Sequence, residues 1–116
     1  MRNTLRLAAL LFAAACGSSG DSNSVTNPGD TPTATTSVAI TGFAFNPAPI
    51  QVAPGAVVTW TNNDNVNHNV TFSSEAIGAS PNFSTGTKSL TMPTAAGTYA
   101  YHCTIHTSMT GTVKVQ

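Results

Sequence analysis

Charged side chains are scarce in this chain of 116 residues, where Asp, Glu, Lys and Arg together make up 7% of the composition. Four basic and four acidic residues give a formal net charge of zero at pH 7. The sequence has no basic cluster, which argues against nucleic acid as a partner. Weak charge also indicates that a protein partner would dock through shape and apolar contact rather than through long-range electrostatic steering.

Long apolar runs are lacking as well. The run at residues 7–15 has nine residues, whereas a membrane-spanning helix needs about 20. Arg2 and Arg6 precede this run, and the run ends in three alanines directly before Cys16, which is the pattern of an export signal. The pattern resembles a bacterial lipoprotein signal, in which Cys16 is lipidated and becomes the new N-terminus, although Ala13 stands where leucine is usual. An ordinary secretory signal cleaved nearby is the alternative.

This export signal predicts a protein of the cell envelope or periplasm, anchored to a membrane only through a lipid on Cys16. Cysteine is limited to Cys16 and Cys103, so Cys103 has no disulfide partner once Cys16 is lipidated or removed. A lone thiol in an oxidising compartment needs protection, which either metal ligation or burial in the core would supply.

The chain divides into three parts. Residues 1–16 form the predicted signal segment, which ends at the lipidation cysteine. Residues 17–37 are rich in Ser, Gly, Thr, Asn, Asp and Pro and have too few apolar side chains to fold, so we expect a flexible tether. Residues 38–116 form the one predicted folded domain.

The domain is predicted to be β structure, because helix formers are sparse and because Gly, Pro and Asn separate short segments rich in β-branched and aromatic residues. Several segments alternate, and their inward positions are Val38/Ile40, Val58/Trp60, His68/Val70/Phe72, Tyr99/Tyr101/Cys103 and Val113/Val115. The pattern predicts an all-β antiparallel sandwich of about seven to eight strands. Residues 73–86 are expected to form a long loop or a short helix.

Four potential metal ligands stand out in this β pattern. Cys103, His106 and Met109 follow one another at three-residue intervals, and His68 lies upstream on another inward-facing position. One thiolate, two imidazoles and one thioether suit a mononuclear copper centre that transfers single electrons, since sulfur favours Cu(I) and imidazole binds either oxidation state. Zinc is disfavoured because thioethers are not among its usual ligands.

Each of these residues also has a purely structural interpretation. Cys103 could be an inert buried thiol, and His68 a core histidine bonded to a carbonyl group. His106 could be an exposed loop residue, and Met109 could fill a gap in the core. We expect His102 to point away from the site by strand alternation, and Met92, Trp60, Tyr99 and Tyr101 to pack in the core.

Segments 45–47, 50–52, 58–62, 68–70 and 97–103 resemble the cupredoxin family of type 1 blue copper proteins. The Cys-x-x-His-x-x-Met spacing is similar to that of amicyanin, whose ligand loop is shorter than that of plastocyanin. The resemblance covers the chain from about Phe43 to Val115. It implies a cupredoxin-like β-sandwich with Greek key topology and one copper ion that alternates between Cu(I) and Cu(II).

The resemblance also implies a role for each ligand. His68, Cys103 and His106 would form the strong trigonal set, and Met109 would be the weak axial ligand. Asn69 would hold the two ligand loops together beside the sulfur. This chain departs from the family at Ile105 and Thr107, where prolines are common, and both changes would loosen the loop and alter the reduction potential.

The expected function is that of a one-electron carrier and not of an enzyme. Redox partner proteins of unknown identity would dock near His106, and the chain would act as a monomer. One alternative is copper handling, meaning capture, storage or delivery by the same site. Another is a metal-free β module. Copper oxidase chemistry is disfavoured because three histidines are too few, and a binuclear site would need a second nearby cysteine.

Overall fold

The computed structural model describes residues 31–116. The predicted signal segment, the lipidation residue Cys16 and the tether up to residue 30 lie outside the described residues. Within residues 31–116 no helix is long and apolar enough to cross a bilayer. The described part contains nine strands: β1 Thr33–Ala34, β2 Ser37–Ile40, β3 Phe45–Asn46, β4 Ile50–Val52, β5 Val57–Asn62, β6 Thr71–Phe72, β7 Gly86–Thr91, β8 Gly97–His102 and β9 Thr110–Val115.

The strands form two sheets. The five-stranded sheet has the order β1-β4-β9-β8-β6, and the four-stranded sheet has the order β3-β2-β5-β7. The prediction of an all-β fold with two layers is confirmed. Four strand pairs are antiparallel as predicted, whereas β1–β4, β4–β9 and β2–β5 are parallel pairs. Between β2 and β5 the chain crosses to the other sheet to form β4, which allows β5 to return in the direction of β2.

The strand count exceeds the predicted seven to eight because three strands are very short. Strands β1, β3 and β6 have two residues each, too few for an alternating pattern to show in the sequence. Strand β1 also lies on the N-terminal side of Val38, where the domain was expected to begin, and pairs with β4. Residues 73–86 contain turns and one isolated bridge at Ala79 and one at Phe83, with no helix.

The hydrophobic core lies between the two sheets and includes the predicted ligands Cys103 and Met109. Val58 and Trp60 in β5 and Val113 in β9 are fully buried, as their alternation predicts. The ring centroid of Trp60 lies 5.4 Å from that of Tyr101 and 5.9 Å from that of Phe72, in edge-to-face contacts. Met92 is buried among these residues, as expected. Strand β8 therefore leads to Cys103 from a packed and rigid interior.

Candidate metal centre

Three of the predicted ligands belong to the loop between β8 and β9. Cys103 follows β8 directly and is a free, fully buried cysteine. Its backbone N–H donates to the carbonyl of Met109 at 3.1 Å, and the N–H of Met109 donates to the carbonyl of His106 at 2.9 Å. These two bonds close the loop, so the three side chains are positioned by one short, internally bonded segment. Met109 is buried, and His106 is half-buried.

The fourth predicted ligand, His68, lies in the segment between β5 and β6. Its backbone N–H donates to Phe83 at 3.1 Å, and the N–H of Phe83 donates back to His68 at 2.9 Å. The side-chain amide of the buried Asn62 donates to the carbonyls of Phe83 and Val66, at 2.7 and 2.8 Å. These bonds fix the backbone that carries the fully buried imidazole of His68.

One detail of the predicted alternation is wrong. The inward positions assigned to His68, Val70 and Phe72 imply one continuous strand, on which Asn69 would face outward. Strand β6 covers only Thr71–Phe72, and Asn69 is buried along with its two neighbours. An irregular backbone has no strict two-residue period, so the inward direction of Asn69 had no signal in the pattern.

The donor atoms of three predicted ligands converge on one point. The Sγ atom of Cys103 lies 3.9 Å from Nδ1 of His68 and 3.9 Å from Nδ1 of His106. The two Nδ1 atoms are 3.2 Å apart, and all three donor atoms lie within 4.8 Å of one another. Bonds of about 2.0 Å to nitrogen and about 2.3 Å to sulfur, as in zinc sites, would separate trigonal donors by about 3.5 to 3.7 Å. The residues therefore fit a single ion of this size.

The orientation of His68 is set by Asp64. The Nε2 atom of His68 lies 2.9 Å from Oδ2 of Asp64 and donates its hydrogen to that carboxylate, which leaves the lone pair on Nδ1 facing Cys103. Burial alone would raise the pKa of Asp64, but hydrogen bonds from the amides of Phe43 and Gly42 and from His68 hold this pKa below its usual value. The carboxylate is thus ionised at neutral pH, and it fixes the tautomer that a metal needs.

Asn69 joins the two ligand segments through its side-chain amide. Its Oδ1 accepts the backbone N–H of Thr104 at 3.1 Å and the hydroxyl of Thr71 at 2.9 Å. Its Nδ2 donates to Oγ1 of Thr104 at 2.7 Å and to Oδ1 of Asn82 at 2.9 Å. Because Thr104 follows Cys103, the amide bonds one ligand loop directly to the other.

His102 stays outside the donor group, as expected from its strand phase. It lines a surface groove of about 460 Å³ together with Ala100, Thr110 and Thr112. Residues of the site that the sequence interpretation missed are Asp64, Asn62, Asn82 and Phe43. Asp64 had one signal, since it precedes His68 by four residues and is one of only two carboxylate residues in the described part.

Comparison with known proteins agrees with this geometry. Residues 32–116 match the family described as copper binding proteins, plastocyanin/azurin family. The chain belongs to this family. Amicyanin from Paracoccus denitrificans is 34% identical over 122 aligned residues, which cover 95% of this chain and 92% of that protein. Amicyanin-alpha from Methylorubrum extorquens is 33% identical over 91 residues, covering 75% and 76%.

Solved structures agree with the sequence relatives. A reduced, Cu(I) form of an amicyanin mutant at pH 4 superposes with a TM-score of 0.64 at 33% identity, over 75% of this chain and 87% of that chain. This cupredoxin is thus a type 1 copper protein, with one copper ion at the site formed by His68, Cys103, His106 and Met109. It is an electron carrier and not an enzyme, as predicted.

Proposed function

We propose that this cupredoxin carries single electrons between redox proteins at the bacterial cell envelope. The observation that carries the proposal is the convergence of one buried thiol and two imidazole nitrogens, with one of the imidazoles half-buried near the surface. Bound copper supplies a one-electron couple between Cu(II) and Cu(I). Burial protects the thiol of Cys103 from oxidation, and the half-buried imidazole of His106 gives the electron a route to the protein surface.

The chain's own residues keep the donors in one arrangement. We propose that His68, Cys103, His106 and Met109 would hold the copper ion, with the thiolate and the two imidazoles as the strong donors and the thioether as the weak one, as the family resemblance implies. The bridge from His68 to Phe83 and the bonds that close the loop from Cys103 hold these groups on a rigid scaffold. Little rearrangement is then needed when an electron enters or leaves, which favours transfer over chemistry on a substrate.

Partners would dock on the apolar surface around His106. Ile105 is 44% exposed beside it, and Phe43 is 51% exposed with its ring centroid 4.9 Å from that of His106. No Lys or Arg side chain stands in the loop from Cys103 to Met109. An apolar surface with little charge fits brief contacts with a redox protein, in which desolvation rather than electrostatic attraction brings the two sites together.

The carrier proposal is tested by electron exchange between oxidised and reduced copies of the copper-loaded protein. We expect a reversible one-electron voltammogram and measurable exchange in NMR line widths. Ile105→Lys should slow the exchange about tenfold while leaving the reduction potential nearly unchanged, because two like charges meet at the docking surface. Val57→Lys is the matched control. Val57 is 52% exposed and is the first residue of β5, at the other end of that strand from Asn62.

Two results would contradict the proposal. Equal exchange rates for Ile105→Lys and Val57→Lys would contradict the proposal that partners dock at the surface around His106. Irreversible voltammetry combined with ready transfer of Cu(I) to a chelator would favour copper handling, the alternative use of the same site.

A lipid anchor at Cys16 is the second part of the proposal. Its support is the sequence of residues 1–16, with two arginines, an apolar run and small residues before the cysteine. In a bacterial host, we expect the full chain in the membrane fraction, with a mass increase at Cys16 that corresponds to acylation. Cys16→Ser should move the protein out of that fraction. Ser18→Ala serves as the control, and an unmodified, soluble wild-type protein would contradict the anchor.

A further inference from the structure

The turn at Gly42 and Phe43 has a backbone conformation that a phenylalanine rarely adopts. The two residues have φ angles of 62° and 58°, in the left-handed region. Glycine adopts this region freely, but a bulky side chain there persists only when surrounding contacts hold it. Phe43 is also half exposed, so burial of its ring does not explain the conformation.

The side chain of Asp64 supplies contacts that hold this turn. Its Oδ1 accepts the N–H of Gly42 at 2.7 Å, and its Oδ2 accepts the N–H of Phe43 at 2.9 Å. Successive amides directed at one carboxylate form an anion-binding turn. The same Oδ2 atom accepts the Nε2 hydrogen of His68 at 2.9 Å. One carboxylate therefore joins the turn to a buried ligand.

The ring of Phe43 contacts both ligand imidazoles. Its centroid lies 5.3 Å from that of His68 and 4.9 Å from that of His106, at interplanar angles of 87° and 89°. Edge-to-face contacts of this kind are favourable and limit ring rotation. Phe43 is also exposed, so its ring contacts both imidazoles at the protein surface.

We propose that Asp64, the residue that orients His68, also holds the ring of Phe43 over the metal site, so that one carboxylate positions both a ligand and its cover. The inference rests on the proposed function, since it concerns the same copper site. Two consequences follow. The negative charge, one hydrogen bond away from His68, favours Cu(II) over Cu(I). The position of Phe43 slows the loss of bound copper to a chelator by covering the imidazoles.

The charge effect is tested with Asp64→Asn in the copper-loaded protein. Glu75→Gln is the matched control, because Glu75 is exposed and is the other carboxylate residue of the described part. We expect Asp64→Asn to lower the ratio of Cu(II) affinity to Cu(I) affinity about three- to tenfold. A tenfold change raises the reduction potential by about 59 mV for one electron. Glu75→Gln should change the ratio less than twofold. Equal reduction potentials for the two variants would overturn the positioning role, whatever happens to the unfolding midpoint.

The link between Asp64 and Phe43 is tested by a double-mutant cycle on the rate of Cu(I) loss to a chelator. We expect Phe43→Ala to accelerate the loss about tenfold in the wild-type background but less than threefold when Asp64 is already Ala, because the ring has then lost its position. Asp64→Asn replaces the alanine variant if the latter does not fold. Additive effects would overturn the link.

These outcomes are distinct from failure of the proposed function. A copper-loaded wild-type protein without reversible one-electron reduction would contradict the carrier. A reversible wild type whose Asp64 variants match the controls would contradict only this inference.

Discussion

Replacing Cys103 by serine is expected to abolish the intense visible absorption of the Cu(II)-loaded protein. The substitution retains the size of the side chain but exchanges a soft thiolate for a hard hydroxyl, so the copper–sulfur bond of a blue copper site cannot form. Affinity for Cu(I) should fall by more than about 100-fold, beyond the 10- to 100-fold effect of residues that only orient a ligand. Visible spectroscopy and competition with a Cu(I) chelator measure the two effects.

The control for Cys103→Ser addresses burial of a hydroxyl group in the core. Val70 is also fully buried, and Val70→Thr introduces a hydroxyl without changing a donor. We expect Val70→Thr to lower the free energy of unfolding, as Cys103→Ser does, while keeping the visible band. A visible band of undiminished intensity in Cys103→Ser would contradict the assignment of Cys103 as a ligand.

Asn69→Ala is expected to lower the free energy of unfolding of the metal-free protein by about 2 to 4 kcal/mol. The change removes four hydrogen bonds of a buried amide, each with a net contribution of about 1 kcal/mol. It also separates the segment that carries His68 from the loop that carries Cys103. Urea unfolding of the metal-free protein measures the stability, and chelator competition measures the expected faster loss of copper.

A neighbouring asparagine provides the control for this change. The side chain of Asn67 is exposed, so Asn67→Ala should alter the unfolding free energy by less than about 0.5 kcal/mol. Asn69→Asp keeps the acceptor for Thr104 and Thr71 but loses the two donated bonds, and its stability should lie between wild type and Asn69→Ala. Equal stability of Asn69→Ala and Asn67→Ala would contradict our view that this amide ties the ligand loops together.

The predicted ligands illustrate what local patterns in a sequence can reveal. Alternation along β8 placed Cys103 toward the core, and the chemistry of thiolate, imidazole and thioether indicated copper. The convergence of His68 with Cys103 follows from the family resemblance, because the spacing of residues 35 positions apart carries no information about their distance. The structure confirms that convergence through the distance between Nδ1 and Sγ.

Features that depend on contacts distant in sequence were not predictable. The parallel pairing of β2 with β5 results from the path of the chain through the other sheet, which no single segment encodes. The role of Asp64 depends on a turn at Gly42 and Phe43, which lie 22 and 21 residues upstream. The carboxylate of Asp64 accepts hydrogen bonds from the backbone N–H groups of both residues. The inward direction of Asn69 arises in irregular backbone, where a period of two no longer applies.

X-ray absorption at the copper K-edge of the loaded protein reports the atoms bound to the ion, so it shows directly whether His68, Cys103 and His106 share one copper. We expect one copper per chain, with one short copper–sulfur distance and two copper–nitrogen distances from imidazole. In Cys103→Ser the short sulfur distance should disappear. A wild-type spectrum with only nitrogen and oxygen neighbours would contradict the account, since His68, Cys103 and His106 would then not share one ion.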